Sequence, residues 1–393
     1  MPTDLAPVTP SVLKWALESI GASLDLAAQR AGVSAERVAA WEAGEAEPTV
    51  AKLRALAKLY QRPLAVFFLP QPPLDFDALR DFRKLPDQDD HTWSRSLHKV
   101  YRRAVEQQEV FAELQDAEGE PVVVAVPAAA LDDDPEAVAA TARGALGVSL
   151  QEQFSWRQPD DAFDGWLQAV ESLGVLVLRT SDVPTSEMRG FSLGSGPVPV
   201  IVVNALDWPR GQVFTLLHEF AHLMLREGGL CNLLEPDTGI TRRVEMFCNA
   251  VAGAIIMPAA SFLDNEVLAP IGIRDWDDDV LAQLSHRYGA SQEAVLRRLV
   301  TLNRASWEFY LARRVEYLQA YVEARQDERA RRRESSGGPP PHRMAIRDRG
   351  RPYVRLVLDA YYRDLISSSN LSRLLSLKLR HLPNLEREVG SGR

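Results

Sequence analysis

The sequence predicts an α+β architecture rich in helices: a helical N-terminal domain, a small sheet followed by longer helices, and a helical C-terminal region. Three observations carry that prediction. The first seventy residues hold short apolar patterns of helical period broken by turns. Two runs of β-branched residues, 175–179 and 198–204, stand close together near the middle of the chain, and long segments after them keep the helical period. At 393 residues the chain is long enough for two or three domains with their own cores.

In the N-terminal segment, helical patterns fall at 13–20, 24–31, 34–42 and 50–60, with a closing apolar run at 63–69. Ala27-Ala28-Gln29-Arg30-Ala31-Gly32-Val33-Ser34 has the small-residue, glycine-turn arrangement of a helix-turn-helix. With Trp41-Glu42-Ala43-Gly44 and Pro48-Thr49 after it, the segment resembles Xre/Cro-type domains over about residues 10–70. That resemblance makes 34–41 the recognition helix, with Ser34, Glu36 and Arg37 as the DNA-facing residues. Two features depart from it: Leu24 follows Ser23 where such helices often offer Gln or Arg, and Arg37 is the only cation of the recognition helix. Residues 1–60 carry six basic and seven acidic side chains. Phosphate attraction supplies most nonspecific DNA affinity, so both DNA contact and a protein-docking or dimerising role stay open.

A helical connector is expected over 71–154. Its cations Arg80, Arg83, Lys84, Arg95, Lys99, Arg102 and Arg103 are interleaved with Phe76, Phe82, Trp93 and Tyr101, a pattern fitting a nucleic-acid face or, more simply, a solvated amphipathic helix. Asp134-Pro135-Glu136 marks a helix start, with Asp134 as cap and Pro135 at the first helical position. Strands follow at 175–179, 188–193 and 198–204. Pro199 lacks an amide donor and points to an edge position for the last of them.

Then comes His218-Glu219-Phe220-Ala221-His222. Residues four apart on a helix share a face, so both imidazoles can close on one ion, and Glu219 stands beside them. Apolar residues over 213–225 describe a helix buried on most sides, in which two His and a Glu need partners. A metal ion supplies one. Zinc sites of this hydrolytic type take a third protein ligand and leave a position for water. Glu245, the only carboxylate in the helical run 242–258, is the expected third ligand, with thiolate-capable Cys248 as its rival. Asn249, one turn on, is read either as an orienting partner or as an ordinary buried amide. A donor to the developing oxyanion is sought at Tyr288 or His286, with a core or surface role as the default for each.

Gly190-Phe191-Ser192, Ile201-Val202-Val203-Asn204, Phe214 to His222, Glu245, Met257-Pro258, Arg287-Tyr288-Gly289-Ala290-Ser291 and Arg298-Leu299 together resemble the ImmA/IrrE family of metallopeptidases, over about residues 155–305. The resemblance implies zinc or manganese held by the two His and the Glu, and cleavage of a protein, often a repressor controlling a mobile element or a stress response. The expected protein is therefore a metal-dependent endopeptidase with Glu219 as general base, guided to its substrate by a helix-turn-helix domain. A DNA-binding regulator or antitoxin-like protein with a structural or sensory metal site is the alternative.

The remaining features are broader. Residues 306–393 read as a helical C-terminal region with a flexible Ser-Gly-Pro linker near 335–341, whose surrounding arginines are expected to be solvated, with contact to nucleic acid or an acidic partner as the alternative. Two cysteines exclude a disulfide framework, and a net charge of −9 argues against a general nucleic-acid coat. With no signal-type leader and no long apolar run, a cytoplasmic protein without a membrane partner is expected. A dimer is compatible with the sequence but not specified by it.

Overall fold

The computed structural model describes residues 5–18, 23–60, 64–72, 93–119, 123–226, 239–268, 272–334 and 338–390. The chain divides into two compact units, Met1–Arg102 and Arg103–Arg393.

The first unit contains α1 (Pro10–Glu18), α2 (Leu24–Ala31), α3 (Ala35–Glu42), α4 (Val50–Tyr60) and a 3₁₀ turn, Leu64–Phe68. Its core gathers Leu13, Ala27, Val38, Trp41, Leu53, Leu56, Tyr60 and Phe67. Ala27, Ala28 and Ala31 are all buried, so α2 approaches α3 and α4 closely. Ser23 caps α2 by accepting from the Leu26 amide at 3.3 Å. Helices α2 and α4 have the expected bounds, while α1 starts earlier than expected, at Pro10. The basic and aromatic run lies outside the described residues over 73–92. Beyond it, α5 (Arg95–Glu118) begins, and Trp93 is buried against His98 and Tyr101 at ring distances of 5.3 and 5.9 Å. These two aromatics pack inward and are not presented to a ligand.

In the second unit, α6 (Pro135–Leu146), α7 (Leu150–Ser155) and α8 (Pro159–Glu171) lead into β1 (Leu176–Thr180), β2 (Gly190–Leu193) and β3 (Val200–Asn204). Asp134 caps α6 as expected, accepting from the Ala137 amide at 3.2 Å. The sheet order is β1-β3-β2, with β1 parallel and β2 antiparallel to β3. The run after Pro199 is thus the central strand, which corrects the edge position expected of it. Pro199 stands just before β3, where no ladder donor is required of it, and its carbonyl accepts from the Leu176 amide at 2.9 Å.

Asn204 ends β3 fully buried. Its Nδ2 donates to the carbonyls of Val183 and Met188 at 2.8 and 2.7 Å, and its Oδ1 accepts from the Leu206 amide at 2.9 Å. One side chain therefore ties the β1–β2 connection to the turn that opens α9 (Pro209–Met224). Next come α10 (Gly239–Ile256), ended by Pro258, then α11 (Ala259–Leu263), α12 (Asp278–Tyr288) and α13 (Gln292–Thr301). Helix α9 packs against α8, α10, β2 and β3, and its apolar side chains Leu216, Leu217, Phe220 and Ala221 are fully buried.

The C-terminal region holds α14 (Trp307–Glu334), α15 (Pro341–Arg349), α16 (Arg351–Tyr362), α17 (Ser368–Leu374) and α18 (Leu382–Gly390). Pro341, expected to close a linker, is instead the first residue of α15, and residues 335–337 lie outside the described residues. The expectation of solvated arginines is also corrected. Arg349 is 7% exposed and donates to Ser376 Oγ, while Arg347 donates to Ser181 Oγ at 3.2 Å. Helix α15 lies along β1. Gly350 follows with φ 78°, and a Cβ there would stand 2.7 Å from the Val177 carbonyl oxygen, so glycine permits this close approach. Among the described residues, no helix is long and apolar enough to cross a membrane.

Candidate metal centre

Helix α9 follows from its own sequence. Pro209 occupies its first turn, where no amide donor is needed, and an apolar surface all round makes burial on several sides favourable. Its three polar central residues are buried with it: His218 is 7%, Glu219 3% and His222 1% exposed. The Nε2 atoms of His218 and His222 lie 3.1 Å apart. Helix α10 crosses beside them and brings Glu245, whose Oε2 and Oε1 lie 3.3 Å from His218 Nε2 and His222 Nε2 respectively. One donor atom from each residue falls within 4.8 Å of the others. Phe214, one turn before His218, stacks on its ring at 6.3 Å.

Burial acts against a charge on Glu245, but hydrogen bonds and charge from both imidazoles outweigh it and hold the carboxyl down at about 2. Two ring nitrogens and a carboxylate are gathered on one point, a donor set that can share a metal ion or, with hydrogen on a ring nitrogen, hydrogen-bond among themselves. The geometry therefore fits a divalent ion. Cys248 falls outside this three-residue group; it is fully buried in the core, where burial pushes its thiol up and a hydrogen bond with His222 pulls it back.

Glu219 is held from the sheet. Ser192 Oγ, on β2, donates to Glu219 Oε2 at 3.0 Å. That contact depends on Gly190, where an added Cβ would stand 2.4 Å from Thr215 Cγ2 and 3.0 Å from the Val202 carbonyl oxygen. The only sequence signal for Ser192 and Gly190 is their presence in the resemblance, since nothing local ties a residue on a strand to one on a helix 27 positions on.

The other sequence-predicted residues are placed elsewhere. Asn249 Nδ2 donates to the Glu245 backbone carbonyl at 2.7 Å, one turn back along its own helix, so its amide does not reach the carboxylate. Tyr288 is 1% exposed, its hydroxyl donating to the Ser261 carbonyl at 2.9 Å and its ring packed against Phe154 and Phe262; it is a core residue. His286 is exposed on α12. Neither joins the group around Glu245. In the first unit Ser34 precedes α3, and Glu36 and Arg37 are exposed on it. The Glu36 carboxyl is held below its usual range first by the Ser34 hydroxyl and then by its own backbone amide, so an anion sits at the head of the helix expected to read DNA.

Residues 170–300 match the IrrE N-terminal-like domain, a peptidase family, and residues 13–67 match a helix-turn-helix family. No curated protein matches the chain. In the order of the sequence, the chain thus carries an Xre-type helix-turn-helix domain and an IrrE N-terminal-like peptidase domain.

Proposed function

We propose that the second unit is a metal-dependent endopeptidase in which His218, His222 and Glu245 hold one divalent cation and Glu219 is the general base. The observation that carries this reading is the convergence of three ligand atoms beside a carboxylate oriented by Ser192. Two imidazoles and one carboxylate suit zinc, with manganese as the alternative. When bound, such an ion supplies Lewis acidity, acidifying water and polarising a peptide carbonyl. Glu219 takes the proton of the attacking water and returns it to the leaving amine. With Oε2 engaged by Ser192, Oε1 is the oxygen that carries the proton.

The sheet supports a way of presenting the substrate. Strand β2 is at the edge and lies against α9, so an extended peptide pairing with it would run beside the helix that carries the cluster. On this reading the substrate is a regulatory, repressor-like protein in the cytoplasm, and the helix-turn-helix domain raises its local concentration at the peptidase. DNA contact through Ser34, Glu36 and Arg37 would have to overcome the acidic balance around α3.

The test is cleavage of repressor-like proteins encoded nearby, followed by mass spectrometry with zinc or manganese present. Wild type should cut and Glu219→Gln should not, with equal metal content. If both are inert while duplex DNA binds tightly and with strong salt dependence, the chain is a DNA-binding regulator with a non-catalytic metal site.

A further inference from the structure

The first unit carries a basic trough on the side formed by α2 and α4. Two hollows, of ≈ 480 and ≈ 730 Å³, share Arg30 and Lys58 in their walls. Helix α2 lines them with Leu26, Gln29 and Arg30, and α4 with Ala51, Arg54, Ala55, Ala57, Lys58 and Leu59. Leu26, Gln29 and Arg30 fall at i, i+3, i+4, and Ala51, Arg54, Ala55, Lys58 and Leu59 at i, i+3, i+4, i+7, i+8 with Ala57 at the margin, so each helix turns one face to the trough. Arg95 and Leu64 complete the lining.

Two properties of this face are unlike an ordinary solvated helix surface. No acid lines either hollow; Asp25, Glu36, Glu42, Glu45 and Glu47 all stand outside them. Arg30, Arg54, Lys58 and Arg95 are exposed and, among the described residues, make no ion pair or side-chain hydrogen bond. Arg54 and Lys58 are moreover like charges one turn apart, an arrangement that destabilises a helix. Between the cations, the alanines and leucines leave an apolar floor.

We propose that this trough binds an acidic, amphipathic segment of a protein partner, its carboxylates on the four cations and its apolar residues on the floor of Leu26, Leu59 and Leu64. The floor is what separates this occupant from nucleic acid, whose phosphate track offers only charge. The acids around α3 add to the separation, because they repel a phosphate backbone passing the adjoining face. This docking function is independent of the metal centre and makes the helix-turn-helix domain a protein-recognition module.

The test uses the full chain and fluorescence anisotropy of a labelled 18-residue peptide with Glu and Leu on opposite faces of a helix. Saturable binding is expected, weakening as salt is raised, since exposed charges are screened within about 10 Å. Lys58→Glu and Arg54→Glu should each weaken it at least tenfold, and Lys14→Glu on α1, exposed and outside both hollows, should leave it unchanged, with circular dichroism confirming that each variant is folded. Absence of saturable binding would overturn the proposal, as would insensitivity to the two trough reversals. Equal binding of a Glu/Ser peptide without leucines would remove the role of the floor, and displacement of the peptide by random duplex DNA would make the trough a phosphate track; either result also overturns it.

Discussion

Ser192 Oγ donates to Glu219 Oε2 across 3.0 Å in a buried setting, joining the edge strand to the helix that carries both histidines. A hydrogen bond to a charged acceptor contributes roughly 1.5–3 kcal/mol. Ser192→Ala should therefore lower kcat by about tenfold to a hundredfold while leaving bound metal unchanged. Ser192→Thr, which keeps the hydroxyl, should restore most of the rate. Elemental analysis beside steady-state kinetics distinguishes this from loss of the ion.

Removal of ligands should act differently. His218→Ala, His222→Ala and Glu245→Ala should each leave far less than one equivalent of metal after gentle purification, because a site of three protein ligands has no spare donor. Glu219→Gln should keep the metal and lose about 10²- to 10⁴-fold in rate, the usual range for a general base. Retained metal in the Glu245 variant would remove that residue from the ligand set.

Gly190→Ala places a methyl 2.4 Å from Thr215 Cγ2 and should destabilise the second unit by about 1–3 kcal/mol in urea unfolding. Thr215→Ser removes the opposing methyl. The double variant should recover roughly 1 kcal/mol relative to the sum of the two single changes, and simple additivity would show that the strain lies against the Val202 carbonyl instead.

Glu171 at the end of α8 predicts a pH dependence of stability. Its Oε1 is buried without a hydrogen-bond partner among the described residues, and burial pushes its carboxyl up to about 8, with Arg351 and Arg355 pulling it down and Asp164 pushing it up. The folded chain keeps a proton that the unfolded chain releases near 4.5. Stability contributed by the neutral carboxyl is thus full below about 4.5 and is lost as pH rises through about 8. Glu171→Gln should match wild type near pH 5 and exceed it near pH 9 in urea midpoint. Parallel pH profiles for the two proteins would show that the carboxyl is already charged when folded.

What could be read from the chain was whatever depends on short-range periodicity. The His218 and His222 spacing, the Asp134 cap, the bounds of α2 and α4 and the presence of three strands all follow from local rules. Sheet order did not, because β3 reaches its central place by pairing in parallel with β1 across the intervening β2, a long-range choice that Pro199 neither favours nor opposes from outside the strand. Arg347 and Arg349 were misjudged because Ser, Gly and Pro beside them describe a linker, whereas Ala345 and the arginine stems bury against other elements. Ser192 was invisible as a partner of Glu219 for the same reason as β3: only the packed sheet brings it there.

Loops between strands ordinarily accept changes of length, since they move without disturbing the elements they join. Asn204 reverses that expectation. Because its amide holds both Val183 and Met188 while its oxygen holds the turn into α9, an insertion in the loop 181–189 would be felt at the start of the histidine helix. Length variation in this domain should therefore be resisted in a loop that carries none of the histidines or glutamates of the metal centre.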